Sequence, residues 1–429
     1  MNSWIDAKQP SVPAAPDRYH RHSLIDWFSQ TDVSYSRIAV IGAGAIGNEV
    51  VKNLTLLGVG QIDVYDFDTV EIHNLTRSVL LRETDIGRSK AEAVVARAAE
   101  LDPNCRLRAV PGDIRDHLNP STISQYRAVI SAVDNFDARL RLNQLCLLAG
   151  VDLVNSAIDS RFVSLEVFAH SQWDVACYEC HLPETAYQRI AERYSCGGLL
   201  KRAFEERKVP TTAITASLAG AMAAAAALGL GQRPGQEQGQ GQGQGQERRA
   251  EPAPASRSER PSGSRRVFLD SHTMVSQAAN LTRQPGCAAC AGLGSRPQRV
   301  RAEALLSTST HDDNVLVDNV LVILPEPIIT ACRCTQCGSE NSARGPANAL
   351  IGQRARHFDD QLSWCPRCQS ASMNIELRER FGLKELTALT GQMPQALAPA
   401  AFALARRGND TMYIEWNTHV PPADARKSP

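Results

Sequence analysis

Residues 38–77 read IAVIGAGAIGNEVVKNLTLLGVGQIDVYDFDTVEIHNLTR. Ile38–Ile41 is an apolar run of strand length, and Ile46–Leu57 has helical spacing. Between them Gly42, Gly44 and Gly47 form a G-x-G-x-x-G turn. Gln61–Tyr65 reads as the next strand, and Asp66 stands at its end, nineteen residues past Gly47. Glycines so placed let the backbone approach a phosphate, and an acid at that distance takes a ribose hydroxyl. The fingerprint alone is shared by many nucleotide folds. Here Asp68, Asn74, Arg77, Lys90 and Asp134 follow it. Hydride transfer to NAD has no use for such basic groups, whereas a reaction on ATP phosphates does.

Outward from this stretch the alternation continues. Arg106–Val110, Ala128–Ala132 and Leu153–Asn155 read as strands, and Lys90–Glu100 and Ala138–Leu148 as helices. The pattern predicts an α/β, Rossmann-like doubly wound and mostly parallel sheet. Arg161–His170 alternates like an antiparallel or edge strand, so an antiparallel extension is expected. Residues 1–36 form an N-terminal segment with one helical patch, RYHRHSLIDWF over 18–28. Residues 232–265 are rich in Gly, Gln, Ser, Pro and Arg and read as a disordered insert. A strand resumes at Arg266, so the insert interrupts a domain spanning 37–298. Such an insert costs roughly 1 kcal/mol or less of closure entropy. Asn314–Leu324 is β-rich, and Met373–Trp416 mixes short helical and strand patterns. Residues 299–429, which also hold two C-x-x-C pairs, Cys334/Cys337 and Cys365/Cys368, are therefore expected to form a small C-terminal zinc-ribbon domain.

The 429 residues carry 46 Lys+Arg and 46 Asp+Glu, a formal net charge of zero. That balance argues against bulk electrostatic attraction to nucleic acid, and no nucleic-acid partner is expected. No charged segment leading into an apolar one opens the chain, so no secretory signal is expected. Thr211–Gly231 is long enough to span a bilayer but is mostly Ala and Gly. It reads as a closely packed helix in a core or subunit interface, and no membrane partner is expected. Eight of the twelve cysteines fall in four C-x-x-C pairs, which read as metal or redox sites. Cys334, Cys337, Cys365 and Cys368 form C-x₂-C-x₂₇-C-x₂-C, paired knuckles that point to a structural zinc. Redox chemistry and a nucleic-acid-binding ribbon are the alternatives there. Cys332 is a spare ligand or a free thiol. Cys105 and Cys146 sit in apolar surroundings and read as core.

Together the motifs resemble the ThiF and ubiquitin-activating enzyme family, which includes the molybdopterin-synthase adenylyltransferases. Arg18-Tyr19-His20-Arg21 resembles its opening R-Y-x-R. Asp66-Phe67-Asp68 and Asn74-Leu75-Thr76-Arg77 resemble D-x-D and N-L-x-R. Asp85–Lys90, and Asp134-Asn135 followed by Arg139, resemble the next two motifs. Cys177 with Cys180 and Cys287 with Cys290 resemble the family's two zinc pairs. The resemblance covers residues 18 to about 293. It implies ATP-dependent adenylation of the C-terminal carboxylate of a ubiquitin-like or sulfur-carrier protein by a cytoplasmic homodimer. It implies that Asp66 holds the ribose, Arg77 and Lys90 contact phosphates, Asp134 holds Mg²⁺ and Asn74 orients the transferring group. It further implies that Arg21 reaches the phosphates across the dimer interface, and that Cys177, Cys180, Cys287 and Cys290 hold Zn²⁺. Cys196, in the loop RYSCGGL, is the candidate acceptor thiol. The family's usual G-V-L-G continuation reads Gly197-Gly198-Leu199-Leu200 here, and a non-catalytic loop cysteine is the alternative. Rival readings are adenylation of a peptide or tRNA-linked amino acid carboxylate, a non-catalytic scaffold of the same fold, and an NAD-linked oxidoreductase.

Overall fold

The computed structural model describes residues 18–183, 210–229, 263–291, 293, 297–301, 320–339, 351–354, 364–365, 367–370, 373–383, 385–386, 402–407 and 410–415. Strands β1 (Arg37–Ile41), β2 (Gln61–Asp66), β3 (Arg106–Pro111), β4 (Ala128–Ser131) and β5 (Asp152–Ile158) lie parallel in the order β3-β2-β1-β4-β5. β6 (Phe162–Phe168), β7 (Ser264–Asp270) and β8 (Val275–Leu281) extend the same sheet as an antiparallel meander. This is the expected doubly wound sheet with its antiparallel extension. β1 is buried over Ile38–Ile41 because helices cover both faces. The helices are α1 (Gln30–Ser34), α2 (Ala45–Leu56), α3 (Lys90–Leu101), α4 (Ile114–His117), α5 (Pro120–Ile123), α6 (Phe136–Ala149) and α7 (Ala213–Leu228). α2, α3 and α7 cover one face, and α4, α5 and α6 the other. The strand order reverses between β1 and β4, where doubly wound sheets open a crevice at their carboxyl ends.

α7 is the Ala-rich stretch. A Cβ on Gly220 would lie 2.3 Å from Cβ of Glu49, so glycine sets how closely α7 approaches α2. Ser217 Oγ also donates to Glu49 Oε1 at 2.8 Å across that contact. Among the described residues no helix is long and apolar enough to cross a membrane. Cys105 and Cys146 are buried in the two cores.

A second sheet follows, of β9 (Gln298–Arg301), β10 (Leu321–Cys334), β11 (Met373–Gly382), β12 (Phe402–Arg407) and β13 (Asp410–Glu415), in the order β11-β10-β12-β13-β9. It rests on the α4–α6 side of the first sheet. Phe402 and Tyr413 join the apolar core on that side. The Arg141 guanidinium lies 4.3 Å from the centre of the Phe402 ring. Glu415 Oε1 accepts the Ser121 amide at 2.7 Å.

Several boundaries differ from the sequence reading. The 18–28 patch holds only a 3-10 turn, His22–Leu24, ahead of α1. Tertiary bonds from Arg18 to the Leu101 carbonyl and from Tyr19 to Asp102 draw its start out of helical geometry. β7 begins at Ser264, inside the stretch assigned to the insert, because Ser264 pairs with Leu281 and its hydroxyl donates to the Ala176 carbonyl at 2.6 Å. β8, VSQAANL, was not foreseen: six of its seven residues are exposed, so no alternation marks it. The β-rich run read as Asn314–Leu324 continues past Pro325 and Pro327, as β10, to Cys334, with a register shift between Ile323 and Ile328 that accommodates the prolines.

Candidate functional site

The glycine turn sits at the carboxyl end of β1. Gly42 has φ +95°, and a Cβ there would lie 2.7 Å from the Ala132 carbonyl oxygen. A Cβ on Gly47 would lie 1.9 Å from the Gly42 carbonyl oxygen. A Cβ on Gly44 meets nothing within 4 Å. The first and third glycines are thus demanded by the fold, and the second borders open space. Gly44 is also the N-cap of α2 and offers no side chain to its first-turn amides. Those amides and the helix dipole make a ready anion site.

Asp66 closes the turn from the side. Its Oδ2 accepts the Ala43 amide at 2.6 Å and its Oδ1 the Asp68 amide at 2.8 Å. Burial pushes the Asp66 carboxyl above its ordinary value, and these amides oppose the shift. The two bonds leave the carboxylate spare acceptor capacity for a ribose hydroxyl. Lys90 opens α3 behind the N-cap Ser89, and its Nζ lies 2.8 Å from Asp68 Oδ2. Asn74 is buried, with Oδ1 accepting the Glu71 amide at 2.9 Å. Half-buried Arg77 donates to the His73 carbonyl at 2.9 Å. Asp134 is exposed, just beyond the Ala132 carbonyl against which Gly42 packs. Beneath it, buried Arg139 donates to the Val133 carbonyl, to Asn155 Oδ1 and, at 3.2 Å, to the Ser156 carbonyl. Burial holds this guanidinium below its ordinary value. Asn155 in turn donates to Glu166 at 2.7 Å, so a buried polar chain fixes the loop that carries Asp134.

The glycine turn, Asp66, Asp68, Lys90 and Asp134 therefore line the carboxyl ends of β1, β2 and β4. Arg21 does not join them. The Tyr19 ring lies against Gly58, and its hydroxyl reaches Asp102 at the carboxyl end of α3. Burial and Asp102 push the Tyr19 phenol up to about 12. Arg21, exposed, thus sits by the far end of the helix that Lys90 opens. Cys196 lies outside the described residues. A residue missed from the sequence is Asn48, which joins the glycine turn to Leu80.

Two clusters of four thiols are present. Cys177 Sγ lies 3.6 Å from Cys287 Sγ and 3.8 Å from Cys180 Sγ, and Cys180 Sγ lies 3.6 Å from Cys290 Sγ. Cys334 Sγ lies 3.5 Å from Cys368 Sγ, and Cys337 Sγ 3.7 Å from Cys365 Sγ. Four sulfurs at about 2.3 Å from one zinc stand roughly 3.8 Å apart, so both sets fit the ion. Four thiolates close the tetrahedron and leave no open position for catalysis. The second cluster is built from two equivalent turns. The Cys334 amide donates to the Ser339 carbonyl at 2.9 Å, and the Cys365 amide to the Ser370 carbonyl at 2.8 Å. Gly338 and Gln369 hold positive φ at the same place in each turn. Cys332 is buried beside this cluster but is not one of the four that converge.

The family model described as ThiF family matches residues 18–250. The SAMP-activating enzyme E1 of Haloferax volcanii is 33% identical over 174 residues, 39% of this chain and 62% of that protein. The molybdopterin-synthase adenylyltransferase of Salmonella typhimurium is 26% identical over 276 residues, 64% of this chain and 95% of that protein. The adenylyltransferase and sulfurtransferase MOCS3 of Arabidopsis thaliana is 28% identical over 205 residues; the match spans 46% of this chain but only 44% of that protein. Among solved structures, E. coli MccB with ATP gives a TM-score of 0.49 at 21% identity, covering 65% of this chain and 75% of that one.

Proposed function

The chain belongs to the ThiF family, and on that footing we propose that it uses ATP to adenylate the C-terminal carboxylate of a ubiquitin-like or sulfur-carrier protein. The observation that carries this reading is the shared crevice. An open glycine turn, an amide-bonded acid, a lysine and an exposed acid gather at the reversal point of the sheet. The names of two relatives, a SAMP-activating enzyme and a molybdopterin-synthase adenylyltransferase, favour the same chemistry.

In this reading ATP lies with its ribose on Asp66 and its phosphates over Gly44 and the first turn of α2. An oxygen of the carrier carboxylate attacks the α-phosphorus, the bond to the bridging oxygen breaks, and pyrophosphate leaves. Lys90, released from Asp68, and Arg77 neutralise the charge that grows on the phosphates. Asp134 would hold Mg²⁺, whose charge would offset that of the leaving pyrophosphate. Asn74 orients the transferring group through the turn it closes. A homodimer, a cytoplasmic location and the absence of a nucleic-acid partner belong to the same proposal. So does a later transfer of the activated glycine to Cys196. Both zinc ions are structural in it.

ATP–pyrophosphate exchange tests the proposal. Exchange should require Mg²⁺ and a ubiquitin-fold protein with a free C terminus, and Asp134→Ala should abolish it without moving the melting temperature. Exchange driven by a free peptide or by tRNA alone would refute the substrate class.

A further inference from the structure

Asn48 is fully buried directly behind Gly47, and none of the chemistry above uses it. Its Nδ2 donates to the Ala43 carbonyl at 2.7 Å and to the Gly44 carbonyl at 3.1 Å. Its Oδ1 accepts the Leu80 amide at 3.0 Å. Leu80 stands three residues beyond Arg77, inside the tight turn that the Leu81 amide closes on the Ser78 carbonyl at 3.1 Å. One side chain thus holds the glycine turn on one side and the end of the Arg77 segment on the other. The start of that segment is fastened elsewhere, through the Gly87 amide to the Val70 carbonyl at 2.9 Å and the bridge between Thr69 and Ser89.

Both halves of the amide are required. A carboxylate has no hydrogen to give the two carbonyls, and a serine hydroxyl on one carbon is too short to span both partners. An apolar side chain would take the donor from the buried Ala43 carbonyl and the acceptor from the Leu80 amide, and leave the Gly44 carbonyl only the backbone amide of residue 48, at 2.9 Å. We propose that Asn48 is a positioning residue that sets Arg77 in register with the glycine turn, so that a polyphosphate is gripped from both sides at once. The inference rests on the adenylation reading for the identity of the ligand. It assigns Asn48 no contact with ATP: the residue acts through Arg77.

The test is a double-mutant cycle read by calorimetric titration of ATP with Mg²⁺ into the full chain. Asn48→Ser should weaken ATP binding on the order of tenfold in the parent protein and less than about twofold in Arg77→Ala. A residue needed only for stability would cost the same in both backgrounds, and equal losses overturn the proposal. Amide hydrogen exchange gives a second readout that needs no ligand. The Leu80 amide should be protected in the parent and exchange at least about tenfold faster in Asn48→Ser; unchanged protection also overturns the clamp. Should Asn48→Ser fail to fold, Asn48→Asp replaces it in the cycle. That variant keeps the volume and the Leu80 bond but loses both donors to the turn, and additivity there is equally fatal. A parent protein that binds no ATP at all would refute the adenylation reading, while the Leu80 amide would still decide whether the clamp exists.

Discussion

Gly42, Gly44 and Gly47 share one motif but answer to different forces. The backbone itself excludes a side chain at Gly42 and Gly47, where a Cβ would lie 2.7 Å and 1.9 Å from carbonyl oxygens. Only Gly44 faces free space, with extended backbone at φ −75° that any residue adopts. Gly47→Ala should therefore lose about 1–3 kcal/mol of stability to the forced shift. Gly44→Ala should stay within about 0.5 kcal/mol of the parent and lose ATP affinity instead, because its methyl group fills the space a phosphate needs. Thermal unfolding beside ATP titration separates the two; parent-like affinity in Gly44→Ala would remove the phosphates from this turn. At this scale the sequence was legible where a recurrent motif carries the residues: the glycines and Asp66 meet as their spacing suggested, and Asp68 and Lys90, marked by the family resemblance, stand beside them. Asn48 was not legible, because its partner Leu80 is 32 residues away and nothing local marks the pair.

Strand β2 carries two acids with opposite duties. Asp66 at its carboxyl end is pushed above its ordinary value by burial. Asp63 is fully buried, and burial alone would raise it too. Hydrogen bonds from Tyr126 at 2.6 Å, Gln61 at 3.0 Å, and Arg37 and Arg108 at 2.8 Å more than offset that cost and leave the carboxyl below its ordinary value. A depressed folded pKa means that the stabilisation is complete above the unfolded value, about 4, and is lost as pH falls through the folded one. Melting temperature should hold from neutral pH down to about 5 and then drop, and Asp63→Asn should flatten this acid limb. At neutral pH that variant should lose about 1–3 kcal/mol, since it removes the charge that Arg37 and Arg108 share while both guanidiniums stay partly open to water. An acid limb identical in parent and Asp63→Asn would show that another carboxylate sets it. The elements were legible for the same reason that β2 is stable. Strands buried on both faces, such as β1 and β4, announce themselves as apolar runs, and α2, α3 and α6 as the helices between them. β8 pairs through its backbone while most of its side chains stay exposed, so composition alone does not reveal it.

Across the whole molecule, metal and symmetry make the remaining claims. The first thiol cluster ties the loop after β6 to the loop after β8, and the second joins the end of β10 to the start of β11. Gently purified protein should hold two zinc ions per chain by metal analysis. Cys180→Ser and Cys365→Ser should each lose one, and only the first should loosen the antiparallel extension; a parent with one ion or none would show that a cluster is misread. The position of Arg21 leads further. Tyr19 is anchored at Asp102, beyond the carboxyl end of α3, and Lys90 stands at the other end of that 12-residue helix. Twelve residues span about 18 Å, too far for an arginine side chain to cover within its own chain. If Arg21 serves the phosphates at all, it serves those of a partner copy. Arg21→Ala and Asp134→Ala should then each be inactive alone in pyrophosphate exchange. Mixed and allowed to trade subunits, they should regain activity, because each hybrid dimer holds one site with both residues intact and one with neither. Activity that stays absent once hybrids are verified by mass would dismiss the shared site. Exchange by Arg21→Ala at the parent rate would remove Arg21 from the reaction and leave its segment only the anchoring duty that Tyr19 and Asp102 perform.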